Sequence, residues 1–135
     1  MDGIRLAREV AAELLSHARS KPDEECCGLL AGRSGVLTRA LPALNAAEQR
    51  AMSYEIAPKE LFCMMREIRK AGLEILGVYH SHPNGDNRPS ARDVERAYYP
   101  DAAYFILSAH ANALHPIRAF SIRDGHWMEL RIQIV

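Results

Sequence analysis

The sequence has no excess of either charge. Its 135 residues include 17 Lys plus Arg and 17 Asp plus Glu, so the formal net charge is zero. Most nucleic-acid-binding domains carry a basic excess that neutralises phosphates, so we expect no nucleic-acid partner. Hydrophobic residues make up 48% of the chain and charged residues 25%, which is typical of folded proteins. The length suits a single domain, residues 1–135, around one core.

Long apolar runs are also missing. Charged residues interrupt the N-terminal segment MDGIRLAREVAAELL, and no apolar run approaches the roughly 20 residues of a membrane span. No signal-peptide core is visible either. We therefore expect a cytoplasmic protein with no membrane partner. The sequence leaves the oligomeric state open.

Cysteines are few and poorly spaced for disulfides. There are three, Cys26, Cys27 and Cys63, and two of them are adjacent. An odd number of cysteines fits a reducing compartment better than secretion. No C-x-x-C spacing supports a cysteine zinc site, so we expect the three thiols to be buried as small apolar groups.

Repeats and linker-like tracts are absent, and the remaining pattern is a mixture of helices and strands. Apolar residues at helical spacing predict a helix over roughly residues 5–20 and another from Pro58 to about Gly72. A short helix is expected from Ser90. Strands are expected at residues 26–32, 36–44, 74–82, 104–109, 117–122 and 127–135. This mixture predicts an α/β (α+β) fold, a single mixed β-sheet flanked by helices.

The most informative segment is His80-Ser81-His82, followed after a turn-rich loop by Ser90 and Asp93. In a strand ending at residue 82, His80 and His82 project from the same face because side chains alternate. Asp93 could return from the next helix as a third ligand. Two imidazoles, one carboxylate and a water suit a catalytic zinc ion, although iron or manganese would tolerate the same donors.

Each part of this pattern also has a plainer interpretation. A His-x-His pair alone is explained equally well by two histidines at a surface or core edge. Ser90 and Asp93 match the S-x-x-D capping box of a helix N-terminus. The complete pattern favours a metal site, and Ser90 can cap a helix while facing that site.

The pattern H-S-H-x7-S-x2-D resembles the JAMM (MPN+/Mov34) metalloprotease family of compact prokaryotic type. The resemblance extends to an upstream Glu before CGLLAG, to Asn45 and to YEIAPKEL at residues 54–61. It implies a partly barrel-like mixed sheet, similar to that of cytidine deaminases, with Zn²⁺ as cofactor. It further implies that His80, His82 and Asp93 hold the metal. Ser90 would help to stabilise an oxyanion.

The same resemblance implies a glutamate as catalytic base, and two adjacent residues compete for the role. In the family this Glu stands three residues before the glycine of the CGLL-type strand, which is Glu25 here. Glu24 is the alternative, since the local spacing is one residue longer than expected. Adjacent residues on a strand point in opposite directions, so one of the two faces the metal. We choose Glu25, which would exchange a proton with the attacking water and the leaving amine.

The resemblance narrows the substrate to an amide or isopeptide bond, hydrolysed by metal-activated water. We expect cleavage after the C-terminal Gly-Gly of a ubiquitin-like or sulfur-carrier protein, whose extended tail could pair with a strand edge beside the zinc. One alternative is a RadC-like protein associated with DNA repair, because SHPNGDNRPS is similar to its motif. Another is a nonenzymatic MPN-type binding module. A phage-tail or cell-wall peptidase would keep the chemistry but change the substrate.

Overall fold

The computed structural model describes residues 3–135, so the first two residues of the predicted domain lie outside it. Its elements, in chain order, are β1 (Gly3–Leu6), α1 (Arg8–Ser20), β2 (Cys27–Arg33), β3 (Val36–Ala43), α2 (Pro58–Lys70), β4 (Glu74–His82), α3 (Ala91–Glu95), β5 (Ala103–Ser108), β6 (Ile117–Arg123) and β7 (His126–Ile134). The predicted mixture of helices with one mixed sheet is confirmed.

The seven strands form a closed barrel in the order β1-β3-β2-β4-β5-β6-β7. The β2–β3, β2–β4, β5–β6 and β6–β7 pairs are antiparallel, whereas β4–β5, β1–β3 and β1–β7 are parallel. A tight turn joins β2 to β3, where Gly35 adopts a φ of 77°. Strand β4 lies between β2 and β5, so its residues are held from both sides.

Side chains from the two faces of the sheet form two separate hydrophobic cores. One core packs against α1 and contains Leu14, Leu30 and Tyr79. The other packs against α2 and contains Val78 and Ile106. Val78 and Tyr79 are neighbours on β4, yet they belong to different cores, as the two-residue period of a strand requires. Within residues 3–135, none of the helices combines the length and apolarity that crossing a bilayer demands.

The predicted helix over residues 5–20 is wrong at its start. Helix α1 begins at Arg8, and the preceding residues form β1, with Ile4 and Leu6 buried and their neighbours exposed. Local apolar spacing did not distinguish this short strand from a helical turn. Strand β1 is stabilised by distant partners, because Ile4 pairs with Ile132 and Leu6 with Ile134 of β7.

One expectation of burial also needs correction. Cys26 and Cys27 are buried as predicted, but Cys63 on α2 is exposed. On the same helix Met64 and Ile68 are buried, whereas Phe62 and Met65 are 62% and 44% exposed. A helix that packs with one face buries residues three and four apart, so the adjacent apolar residues turn towards solvent.

Candidate metal centre

Strand β4 fixes two histidines on one face of the barrel. His80 pairs with Cys27 of β2 and with Ile106 of β5, while His82 pairs with Ser108 of β5. Both imidazoles project towards the α2 side, as the two-residue period predicts from the sequence. The backbone of this segment therefore has little freedom to move the two rings apart.

The structure brings together the three residues that the sequence predicts as metal ligands. His80 Nε2 lies 3.1 Å from His82 Nε2. The carboxylate of Asp93 completes a triangle, with Oδ1 3.0 Å from His80 Nε2 and Oδ2 2.9 Å from His82 Nε2. Zinc–ligand bonds of about 2.0–2.1 Å would separate neighbouring tetrahedral donors by roughly 3.3 Å. The spacing of the two imidazole nitrogens and the Asp93 carboxylate thus fits a zinc ion.

A second hydrogen bond sets the tautomer of His82. Its Nδ1 lies 2.6 Å from the carbonyl oxygen of Asp86, and a carbonyl only accepts, so Nδ1 carries the hydrogen. With Nδ1 protonated, loss of the second ring proton leaves the lone pair on Nε2, the atom that a metal ion would bind. Metal-ligating histidines are commonly oriented by such an outer partner. Asp86 was missed from the sequence, because its contribution comes from the backbone.

The protonation states of the cluster follow from burial and from the Asp93 carboxylate. Complete burial lowers the pKa of His80. Burial also acts to lower the pKa of His82, but hydrogen bonds to Asp93 and Asp86 outweigh it and raise the pKa. Burial would raise the pKa of Asp93, yet its hydrogen bonds to both histidines hold it well below the usual range. An ionised carboxylate beside two imidazoles attracts a cation.

Tyr54 packs against the cluster from the α2 side. Its ring is stacked on His80, with centroids 4.5 Å apart and planes 19° apart. Among residues 3–135, the buried Nδ1 of His80 has no hydrogen-bond partner, so stacking on Tyr54 and the contacts of Nε2 hold this ring. Tyr54 lies in the YEIAPKEL segment, but no pattern in the sequence indicated that it would contact His80.

Asp93 is presented by the first turn of α3. The Ser90 side chain accepts a hydrogen bond from the Asp93 N–H at 3.1 Å, and the Ser90 N–H donates to Asp93 Oδ2 at 2.9 Å. The capping-box interpretation is therefore confirmed, and the same contacts orient the carboxylate. The Ser90 hydroxyl hydrogen is not used in this box and remains able to donate.

Glu25 lies beside the cluster in the segment just before β2. Its side chain is 6% exposed, and within residues 3–135 its buried Oε1 has no hydrogen-bond partner. Burial raises the pKa of Glu25 to about 7, with His82 opposing and Asp93 adding to the rise. Glu24 instead points outward, where its carboxylate contacts Arg50 and Lys21. The two candidates therefore occupy different environments.

Two clefts open beside the cluster. The first, of about 380 Å³, is lined by Tyr54, Ile56, Asp93, Tyr98 and other residues of α3 and the loop before α2. The second, of about 610 Å³, is lined by Glu25, His82, Ser90 and residues of the 83–89 loop. A substrate could thus approach the donor cluster from two sides.

Residues 7–123 match the family of prokaryotic homologs of the JAB domain. The chain belongs to the JAB/JAMM family. Three relatives cover most of its length. Desampylase of Haloferax volcanii is 40% identical over 78% of this chain and 80% of its own. The CysO-cysteine peptidase of Mycobacterium tuberculosis is 32% identical over 90% and 84%. A probable TtuB-protein conjugate cleaving protease of Thermus thermophilus is 30% identical over 94% and 81%.

Solved structures agree with this JAB/JAMM assignment. A protein from Desulfitobacterium hafniense, DSY2949, superimposes with a TM-score of 0.87 at 32% identity, covering 98% of this chain and 92% of its own. The JAB1/MPN domain protein AF2198 from Archaeoglobus fulgidus gives a TM-score of 0.66 at 18% identity, covering 98% and 100%. The latter likeness establishes the fold alone, and it confirms the predicted barrel-like architecture.

Proposed function

We propose that this protein is a zinc-dependent peptidase that hydrolyses the amide bond after the C-terminal Gly-Gly of a ubiquitin-like or sulfur-carrier protein. One observation carries the proposal: three convergent donors, His80, His82 and Asp93, lie beside the buried, unpartnered carboxylate of Glu25. A metal site next to a carboxylate of raised pKa is the arrangement that metal-assisted hydrolysis requires.

Zinc is the cofactor that this donor set fits best. Two imidazoles and one carboxylate are a common protein ligand set for catalytic zinc, and the hydrogen bond from His82 to Asp86 supplies the outer contact that such ligands need. When bound, Zn²⁺ would lower the pKa of a water molecule and polarise a carbonyl group.

The remaining steps belong to residues of the chain. Glu25, whose pKa lies near 7, would accept a proton from the attacking water and return it to the leaving amine. Ser90 would donate its free hydroxyl hydrogen to the oxygen of the former carbonyl group as negative charge develops there. Asp93 would keep its orientation through the two contacts with Ser90.

The relatives support a conjugate as substrate. Their names describe a peptidase for CysO-cysteine and a protease that cleaves TtuB–protein conjugates. A tail without side chains would suit the cleft beside Tyr54, which lies between α3 and the segment before α2. A bulky side chain next to the cleaved bond would clash with this cleft sooner than glycine would.

The expected strand edge beside the metal is not available on β4, since β2 and β5 pair with it on both sides. Residues 53–57 offer another edge. Glu55 bonds to Asn45 and Ala46 through its N–H and C=O. In an extended segment the neighbouring groups of Tyr54 and Ile56 then face the opposite side, towards the cleft. Within residues 3–135 they bond to nothing, so they could pair with an extended tail.

The competing functions fit the site less well. A nonenzymatic module has no use for a buried, unpartnered glutamate, whose burial costs stability. The relatives reported above include peptidases, which favours hydrolysis over a RadC-like role. We also propose a cytoplasmic location, supported by three cysteines that form no disulfide.

The test uses protein purified without a metal-affinity tag. Mass spectrometry should find about one zinc per chain. A fusion of a carrier protein to a short peptide after Gly-Gly should be cleaved at that bond, and replacing Gly-Gly by Val-Val should stop cleavage. Glu25→Gln should retain zinc and lose about 10²–10⁴-fold in kcat, whereas the matched control Glu24→Gln should stay active. Zinc binding with no cleavage of any Gly-Gly substrate would refute the substrate class. Absence of zinc after zinc is supplied would refute the mechanism.

A further inference from the structure

Glu25 precedes β2, so its backbone is not held by the sheet ladder. Its N–H donates instead to the carbonyl oxygen of Arg50 at 2.7 Å, and its C=O accepts from the Asn45 side chain at 2.9 Å. Both partners belong to the 45–57 segment between β3 and α2. The position of the proposed base therefore depends on that segment and on what orders it.

The Asn45 side chain is the hub of the 45–57 segment. Its Nδ2 donates to Glu25 O and to Ser53 O, each at 2.9 Å. Its Oδ1 accepts from the N–H groups of Ala47 at 3.0 Å and Glu55 at 3.1 Å. An amide side chain can make four such bonds, and this one makes all four. One side chain thus connects Ala47, near the start of the segment, with Ser53 and Glu55, near its end, and connects all of them to Glu25.

The next residue along the chain is held from β4. The Cys26 N–H donates to Ser81 Oγ at 2.9 Å, and the Ser81 N–H donates to Cys26 O at 3.0 Å. Ser81 lies between the two histidines on β4. The backbone around Glu25 is consequently held on two sides, by β4, which carries His80 and His82, and by the 45–57 segment, which the Asn45 side chain orders.

From these contacts we infer that Asn45 is a positioning residue, which sets the distance of the Glu25 carboxylate from the metal ligands. The inference rests on the function proposed above. Without the two Nδ2 bonds, the Glu25 carbonyl loses its partner in the loop and the carboxylate gains freedom. A displacement of about 1 Å of a reacting group can cost on the order of 10²-fold in rate.

The Asn45→Asp variant separates the hydrogen bonds that the Asn45 side chain donates from those that it accepts. It keeps an oxygen that accepts from Ala47 and Glu55, but it removes both donors to Glu25 and Ser53. Gln49→Glu is the matched control, since it makes the same amide-to-carboxylate change at an exposed position of the same loop. Within residues 3–135 the Gln49 side chain makes no hydrogen bond. Asn45→Ala provides a second variant without a new charge.

We expect Asn45→Asp to lower kcat about 10–100-fold, with KM changed less than about threefold and zinc content equal to wild type. Gln49→Glu should match wild type. In the Glu25→Gln background, Asn45→Asp should lower the residual rate by less than about twofold, because a residue that acts through Glu25 has nothing left to position. A purely structural role would produce the full loss again, or a loss of zinc, and either result would overturn the inference.

Amide hydrogen exchange followed by NMR gives a readout that does not depend on turnover. In Asn45→Asp and Asn45→Ala the Glu25 amide should exchange at least about tenfold faster, while Leu30 in the middle of β2 keeps its protection. Unchanged exchange at Glu25 overturns the inference, whether or not the protein is active. Wild-type protein that cleaves no Gly-Gly conjugate, together with faster Glu25 exchange in both variants, would refute the proposed function and leave the positioning of Glu25 by Asn45 intact.

Discussion

Replacing Glu25 by Gln should stabilise the metal-free protein, and the gain should depend on pH. The folded protein raises the pKa of Glu25 from 4.5 to about 7, chiefly through burial. The folded state therefore favours the neutral carboxyl group. The stability that this neutral group contributes is complete below pH 4.5 and is lost as the pH rises through about 7. A glutamine stays neutral throughout, so it avoids that loss.

The size of the effect follows from the pKa shift. A shift of this size corresponds to about 3 kcal/mol. The carboxyl group borders an open cleft, so solvent screening reduces the figure to about 1–2 kcal/mol. Each kcal/mol moves the melting temperature of a domain this size by roughly 3–5 °C. The Gln variant should accordingly gain roughly 3–10 °C relative to wild type between pH 4.5 and pH 8.5.

The assay is thermal and urea unfolding of chelator-treated protein at several pH values. Subtracting the wild-type free energy of unfolding from that of the variant removes the titrations that both proteins share. Glu24→Gln serves as the control, because Glu24 lies outside and contacts Arg50 and Lys21. It should show no pH-dependent gain. A difference between Glu25→Gln and wild type that stays constant from pH 4.5 to 8.5 would refute the buried-charge argument.

Three further predictions concern the metal, the core and the cleft. Asp93→Asn should lower zinc affinity by at least about tenfold, because losing even a residue that only hydrogen-bonds to a metal ligand costs about 10–100-fold in affinity. Zinc content after dialysis against a mild chelator measures this loss, and an unchanged zinc content would contradict it. Gly28→Ala should destabilise by about 1–3 kcal/mol, since a Cβ there would overlap the Tyr79 ring and the Leu41 carbonyl; an unchanged urea midpoint would refute the close contact. Ile56→Pro, which removes an N–H facing the cleft, should raise KM for a Gly-Gly substrate about fivefold relative to Ile56→Ala; equal KM values would argue against pairing of the tail there.

The convergence of His80, His82 and Asp93 could be expected from the sequence because much of it depends on local geometry. Two histidines two residues apart on a strand share a face whatever the rest of the fold does, and Ser90 and Asp93 carry their own helix-capping signal. Glu25 was harder, because the choice over Glu24 rests on which side chain is buried. Burial is a property of the assembled barrel, and the sequence near these residues does not encode it alone.

Features set by long-range partners could not be predicted. Strand β1 has four residues, too few for a reliable period, and its partners in β7 lie at the other end of the sequence. The stacking of Tyr54 on His80 also joins separate segments. Asn45 was noticed as part of the resemblance, but its four hydrogen bonds became visible only with the 45–57 segment in place.

The pairing of β4 on both sides bears on the order of events during folding. His80 reaches its place only when β4 has joined β2, some 50 residues earlier in the chain, and β5, some 25 residues later. In small zinc fingers the ion drives the chain to fold, but here the two histidines proposed as ligands lie on a strand that hydrophobic cores already hold in place. The polypeptide should therefore fold first and acquire its ion afterwards. Removing the ion with a chelator would then abolish the activity of such an enzyme without unfolding it. The supply of metal would therefore control the activity of a protein that is already folded.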